Sequence, residues 1–127
     1  MDRFAFCKEL LGDCSGVGVE IGTCWGGFAD FLAKNTNLSI LYCVDPYRKF
    51  PVDLYCDALN LETQEALDYK FEYVLQRLSE TGKVCMIRDT SYEAKDRIPD
   101  ELDFVYIDGN HHYNEVLKDL VCWWCVS

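Results

Sequence analysis

The chain has 127 residues, half of them hydrophobic, and a formal net charge of −10 from 22 acidic and 12 basic residues. A chain of this length and composition is typical of one globular domain built around one core. The charge argues against nucleic acid as a partner, because an acidic surface repels a phosphate backbone. We therefore expect a small ligand and no nucleic acid.

Eight cysteines are many for this length. The amino-terminal segment has no signal-peptide core, and no apolar run is as long as a membrane span, so we expect no membrane partner. Cys43 and Cys85 lie within apolar strand patterns. We interpret them as core residues of a protein in a reducing, cytoplasmic compartment.

Cys122 and Cys125 form a C-x-x-C pair that needs separate consideration. Zinc would require two further ligands, and the candidates His111 and His112 stand at a spacing that fits no common zinc motif. Core packing is the favoured interpretation of this pair.

Helices and strands alternate along the chain. Apolar runs bounded by turn residues predict strands at 17–21, 39–44, 83–87 and 102–107. Helical spacing of apolar residues predicts helices at 2–11 and 26–34, one ending at Gly82, a short one before Pro99, and one from Tyr113 to Trp124. Such alternation predicts an α/β fold with a parallel sheet covered by helices on both faces.

Several residues are expected to delimit or line these helices. Asp2 and Ser91 are predicted N-caps, and Gly12 is a predicted stop. The helix before Gly82 should bury one apolar face, formed by Leu67, Phe71, Val74, Leu75 and Leu78.

The predicted sheet is small, and the chain ends just after its last helix. We expect a single domain over residues 1–127 that is incomplete at its carboxyl end. The alternative is that another chain covers the edge of the fourth strand, which would make the protein a homo-oligomer.

A glycine loop follows the first strand. Glu20, Gly22 and Gly26 precede a helix, and Asp45 ends the second strand about 20 residues later. Glycines allow a ligand to approach the backbone, and the helix end supplies a positive dipole. The dinucleotide fingerprint is not met, since Cys24 stands where its second glycine would be. Nucleoside binding is favoured over the alternative of a tight turn without a ligand.

The fourth strand, Leu102 to Ile107, runs into Asp108, Gly109 and His111. This places a carboxylate and an imidazole at the carboxyl end of a strand, where open α/β sheets bind ligands. An imidazole titrates near neutrality and suits removal of a hydroxyl proton. The alternatives are that Asp108 only ends the strand and that His111 only begins a helix.

These two motifs together resemble the class I S-adenosylmethionine-dependent methyltransferases, in particular the branch acting on hydroxyls of small molecules and sugars. The resemblance implies a Rossmann-like sheet with strand order 3-2-1-4, here lacking the family's later strands. It implies that Asp108 is a ligand of a divalent metal such as Mg²⁺ and that both Asp108 and His111 are catalytic, His111 as general base. The family's other metal carboxylates follow a Pro-Gly-Gly turn that this chain lacks.

The resemblance also implies which residues bind S-adenosylmethionine. They come from the glycine loop and from the ends of the second and third strands: Glu20, Gly22, Thr23, Trp25, Gly26, Asp45, Asp89 and Ser91. Asp45 would hold the ribose, and Asp89 to Ser91 would approach the adenine. Trp25 either packs over the cofactor or belongs to the core.

Three functions remain open on the sequence alone. The first is an O-methyltransferase acting on a small hydroxylated molecule, a sugar being one candidate. The second is a non-catalytic nucleoside-binding module that needs a partner. The third, a NAD-dependent oxidoreductase, is disfavoured by the spacing of the glycine loop.

Overall fold

The computed structural model describes residues 2–49 and 63–107. Four parallel strands form one sheet in the order β3-β2-β1-β4. The strands are β1 (Val17–Ile21), β2 (Ile40–Val44), β3 (Val84–Ile87) and β4 (Phe104–Ile107). The helices are α1 (Arg3–Leu11), α2 (Gly27–Asn35), α3 (Gln64–Ser79) and α4 (Ser91–Ala94), followed by a 3₁₀ turn over Lys95–Arg97. The predicted α/β fold and strand order are confirmed, and the helix expected from Tyr113 lies outside the described residues.

The sheet buries side chains on both faces. On one face Leu41 and Cys43 pack with α1, α2 and α3, and on the other Val19 and Ile21 pack with the region of α4. Glu20 stands between Val19 and Ile21 and is in register with Cys43, so it faces the α2 and α3 side. Burial on both faces explains why the strand sequences are continuous apolar runs.

The apolar face of α3 differs from the prediction at two positions. Leu67, Val74 and Leu78 are buried as expected, but Leu75 is 39% exposed. Lys70, one helical turn from Leu67, is buried instead. The prediction for Leu75 was wrong because the buried stripe is narrower than the apolar spacing suggests.

The ends of two helices also differ from the prediction by a few residues. The cap of α4 is Thr90, whose hydroxyl oxygen accepts from the Glu93 N–H at 3.2 Å, and Ser91 is the first helical residue. Helix α3 ends at Ser79, and Gly82 lies in the following turn with φ +71°. At α1 the predicted cap Asp2 and stop Gly12 are confirmed, since Asp2 accepts from the Ala5 N–H at 2.8 Å.

Cysteine placement follows position in the sheet. Cys43, on the inner strand β2, is fully buried, as predicted. Cys85 is exposed, so its assignment to the core was wrong. Its strand β3 is an edge strand of the described sheet, and its apolar sequence does not reveal how little of that edge is covered. The five cysteines within 2–49 and 63–107 are all free thiols.

Asp103 joins the amino ends of β1 and β4. Its carboxylate accepts from the Val17 N–H at 2.9 Å, and its own N–H donates to the Val17 carbonyl at 2.9 Å. A β-carbon at Gly16 would lie 1.7 Å from the same carboxylate, so a side chain there would displace Asp103 from its bond to Val17. These two hydrogen bonds fix the register of β1 and β4, whose carboxyl ends carry the candidate site.

Candidate functional site

The glycine loop joins β1 to α2 through three left-handed residues: Gly22 (φ +92°), Cys24 (φ +53°) and Gly26 (φ +82°). The Gly22 N–H donates to the Val44 carbonyl at 2.7 Å, which continues the pairing with β2 beyond the strand. Cys24 adopts this conformation without being glycine, at a cost of about 1–2 kcal/mol. Such strain persists only where the surroundings hold it.

Gly26 has a packing role in addition to its conformation. A β-carbon there would lie 3.1 Å from Val74 Cγ1 and 3.4 Å from Leu78 Cδ1. Helix α3 therefore passes directly against the start of α2. This requirement accounts for Gly26 even without a ligand, so glycine at this position does not by itself indicate binding.

Asp45 connects the loops that follow β1 and β2. Its Oδ2 accepts from the Cys24 N–H at 3.0 Å, and its Oδ1 accepts from the Tyr47 N–H at 2.9 Å. Only 2% of the residue is exposed. The carboxylate predicted to hold a ribose thus also fixes the geometry of both loops.

Tyr47 completes this connection. Its side chain is buried, and its hydroxyl donates to the Cys24 carbonyl at 2.5 Å. Its own φ is +45°, so a second non-glycine residue is held in the left-handed region. Burial, and secondarily the charge of Asp45, raises the pKa of the Tyr47 hydroxyl well above its ordinary value, so it remains a donor at neutral pH.

Glu20 and Asp45 lie on the same side of the sheet. Glu20 pairs with Cys43 in the sheet register, and Asp45 follows Cys43 by two residues, so both carboxylates lie on the Cys43 side. Glu20 is 2% exposed and contributes, after burial, to the raised pKa of the Cys43 thiol. The structure therefore brings these two predicted carboxylates together with the glycine loop.

Thr23 supplies a further polar group to the same place. Its hydroxyl oxygen is buried and has no nitrogen or oxygen partner among the described residues, and the weakly bonding thiol of Cys43 is beside it. A buried hydroxyl without such a partner has lost its bonds to water and retains unused hydrogen-bonding capacity. Together with the two carboxylates, it makes the loop suitable for a ligand that carries hydroxyl and amino groups.

Arg88 and Gln64 hold the loop after β2 from the outside. Arg88 Nη2 and Gln64 Nε2 donate to the Tyr47 carbonyl at 3.1 and 3.0 Å. Arg88 also pairs with Asp68 and lies 4.7 Å from the Phe71 ring centroid. Hydrogen bonds from Gln64 and then Arg88 lower the pKa of Asp68. The end of β3 and the start of α3 are thereby tied to Tyr47.

Trp25 lies at the surface of the loop and is 46% exposed. Lys70 Nζ is 4.7 Å from its ring centroid, and the Tyr73 ring meets it edge-on at 5.5 Å. Arg77 donates to its carbonyl at 3.2 Å. Trp25 is not a core residue, and the cation over its ring in this structure is the buried Lys70.

The polar residues after β3 combine local bonds with links to the loop after β2. Asp89 pairs with Arg97 and accepts from the Thr90 N–H at 3.2 Å. Glu93, whose pKa is lowered chiefly by the Thr90 hydroxyl, pairs with Arg48 at 3.5 Å. Asp89 and Ser91 follow β3 at the same end of the sheet as Asp45.

The remaining predicted residues fall outside the described part of the chain. They are Asp108, His111, His112, Cys122 and Cys125. Within 2–49 and 63–107 no group of three His, Cys, Asp or Glu side chains could hold a metal ion. In the same residues no helix has the length and hydropathy needed to cross a bilayer.

Four residues that contact the glycine loop or the loop after β2 were not predicted from the sequence: Tyr47, Lys70, Gln64 and Arg88. Lys70 carried a signal, because it stands between Leu67 and Val74 on their helical stripe. Tyr47 follows Asp45-Pro46, but no residue pattern indicates that its hydroxyl bonds to the Cys24 carbonyl, 23 residues away.

Comparison with known proteins gives a family and a fold. The profile of a family described as methyltransferase domain matches residues 19–127. Among solved structures, the chain is similar to an rRNA methylase from Streptococcus thermophilus, with a TM-score of 0.62 and 16% identity over 94% of this chain and 59% of that one. The chain thus spans about three fifths of that protein. A search of curated proteins finds no match.

Proposed function

The chain belongs to the methyltransferase domain family, and we propose from this premise that it is an S-adenosylmethionine-dependent O-methyltransferase acting on a hydroxyl of a small molecule, a sugar being one candidate. The observation that carries the proposal is the position of Glu20 and Asp45 on one side of the sheet, with Asp45 bonded to the glycine loop. Ligands of open α/β sheets bind at this edge.

The described residues can hold the donor as follows. Each Asp45 oxygen accepts from one backbone N–H, and a carboxylate oxygen can accept more than one hydrogen bond, so ribose hydroxyls are compatible with the loop geometry. Gly22, which is only half-buried, leaves backbone accessible, and Glu20 and Thr23 offer polar groups to the rest of the donor. Because Glu20 and Asp45 are each 2% exposed, binding requires neighbouring side chains to move aside.

The bound donor supplies an electrophilic methyl group on a sulfonium. A hydroxyl acceptor must lose its proton to attack this carbon, and His111 is the residue we propose for that step. Asp108 would lie beside it at the end of β4. Mg²⁺ at Asp108 remains part of the proposal, but the described residues provide no further ligand set, and we derive no step through it.

The proposed acceptor differs from that of the structural neighbour, which is an rRNA methylase. The net charge of −10 disfavours a phosphate backbone. Charge therefore favours a small hydroxylated acceptor over RNA, and the experiment must offer both. For the cell compartment, the free thiols of the described cysteines are compatible with the cytoplasm.

The test is transfer of a labelled methyl group from S-adenosylmethionine to a panel of polyols and sugars and to an rRNA fragment, with and without EDTA. We expect label on a polyol or sugar, with His111→Ala abolishing transfer while donor binding persists. The matched control is His112→Ala, which should retain activity. Label on RNA would show that the proposed acceptor is wrong.

Two further outcomes identify the alternatives. Donor binding without transfer to any acceptor would indicate the non-catalytic module. Tighter binding of NAD than of S-adenosylmethionine would indicate an oxidoreductase. Transfer that survives His111→Ala would refute the base assignment, and transfer insensitive to EDTA would remove the metal from the proposal.

A further inference from the structure

We propose that Tyr47 is a positioning residue whose hydroxyl holds the glycine loop in the shape that binds the methyl donor. The inference rests on the proposed function for the identity of the ligand. It concerns a residue on the loop after β2 that itself need not touch the donor.

Both backbone polar groups of Cys24 are hydrogen-bonded to side chains of the loop after β2. Its N–H donates to Asp45 Oδ2 at 3.0 Å, and its carbonyl accepts from the Tyr47 hydroxyl at 2.5 Å. Asp45 in turn accepts from the Tyr47 N–H at 2.9 Å. The three residues form a closed ring of hydrogen bonds, which we call the loop brace.

The loop brace explains how Cys24 keeps φ at +53°. A left-handed conformation at a non-glycine residue is unfavourable, and it reverts unless neighbouring bonds compensate. Asp45 alone fixes only the N–H side of Cys24. The Tyr47 hydroxyl fixes the carbonyl side, and thereby the orientation of the Cys24–Trp25 peptide.

Tyr47 is itself firmly held, so it can act as an anchor. Its side chain is 1% exposed, and its ring lies 5.6 Å from the ring of Phe71. Its carbonyl accepts hydrogen bonds from Arg88, which follows β3, and from Gln64, the first residue of α3. The loop after β1 is therefore positioned by β3 and α3 through a single buried side chain.

The test compares Tyr47→Phe, which removes only the hydroxyl, with Tyr69→Phe, which removes a hydroxyl from a side chain that is 68% exposed on α3. Binding of S-adenosylhomocysteine is measured by calorimetry, and the alkylation rates of Cys24 and Cys85 by iodoacetamide are measured by peptide mass spectrometry. Urea unfolding is followed for each variant. Tyr69→Phe should match the wild type in all three measurements.

For Tyr47→Phe we expect the dissociation constant to rise about fivefold to tenfold, the effect of one lost hydrogen bond. Cys24 should be alkylated faster, while Cys85 serves as an unchanged internal standard. A purely structural role would lower the unfolding midpoint and leave ligand affinity and Cys24 reactivity of the folded protein unchanged. In a transfer assay the donor KM should rise with little change in kcat.

Unchanged affinity in folded Tyr47→Phe, with wild-type binding intact, overturns the inference and leaves the proposed function standing. Absence of binding by the wild type overturns both. If Tyr47→Phe does not fold, Gln64→Ala removes one support of the Tyr47 carbonyl from an exposed position and should raise the dissociation constant about twofold. An unaltered value in that variant would also count against the inference.

Discussion

The polar residues of the loops after β1 and β2 differ from Asp89, on the loop after β3, in what they bond to. In the first pair Asp45 and Tyr47 are buried and bind Cys24, more than 20 residues away. After β3, Asp89 is bonded to Thr90 and Arg97, its near neighbours in sequence. The first two loops are thus joined by buried long-range bonds, whereas Asp89 is bonded locally at a partly exposed position, although Arg88 beside it reaches Tyr47.

The difference matters because buried, connected hydrogen bonds cost much to break, whereas exposed ion pairs contribute little. A ligand site needs preorganised groups. The loop brace has this property, so we expect the methyl donor to depend strongly on the first two loops and weakly on Asp89.

The largest expected effect is that of Gly26→Ala. The new β-carbon would lie 3.1 Å from Val74 Cγ1, and the alanine would have to adopt φ +82°. We therefore expect the free energy of unfolding to fall by about 2–3 kcal/mol and donor affinity to be lost as well. The adjacent Gly27→Ala is the matched control, because nothing lies within 4 Å of its β-carbon. Urea denaturation measures both, and equal stability of the two variants would contradict the packing described for the loop.

An intermediate effect is expected in alkaline solution. The folded-state pKa of Tyr47 is raised, so its contribution to stability is fully present below the unfolded value of about 10 and is lost as pH rises above it. The urea midpoint should fall above pH 10, and less steeply in Tyr47→Phe. If the slopes of the two proteins coincide, the hydroxyl is not buried as described.

The smallest effect is expected for Asp89→Asn. It removes an exposed ion pair with Arg97, which contributes about 0–1 kcal/mol and is screened by salt. At physiological salt the unfolding equilibrium constant should change less than about fivefold and donor affinity less than about twofold. A tenfold loss of donor affinity would show that the third loop is part of the site and that the contrast drawn here is wrong.

The sequence allowed prediction of features that depend on local chemistry. Val17–Ile21 was predicted with its bounds, and Asp2 and Gly12 were identified as helix ends, because apolar runs and caps act over a few residues. Thr90 and Ser91 are both good caps, so the choice between them was decided by backbone geometry that composition does not reveal.

Tertiary placement escaped prediction. Cys85 and Leu75 have the residue types of core positions, yet the sheet edge and the width of the α3 contact leave them exposed. Tyr47 was missed because its partner, the Cys24 carbonyl, is a backbone group present at every position. The residues named for the site were found from motifs, whereas the bonds that hold them became visible only in the fold.

The most direct test of the account is an NMR titration of the backbone amides with S-adenosylhomocysteine. We predict that the largest chemical-shift changes occur at Gly22–Gly26 and at Asp45 and Tyr47. Gly12–Gly16, before the amino end of β1, should change little. Shifts absent from the first two loops, or greatest near Gly12–Gly16, would contradict the placement of the methyl donor.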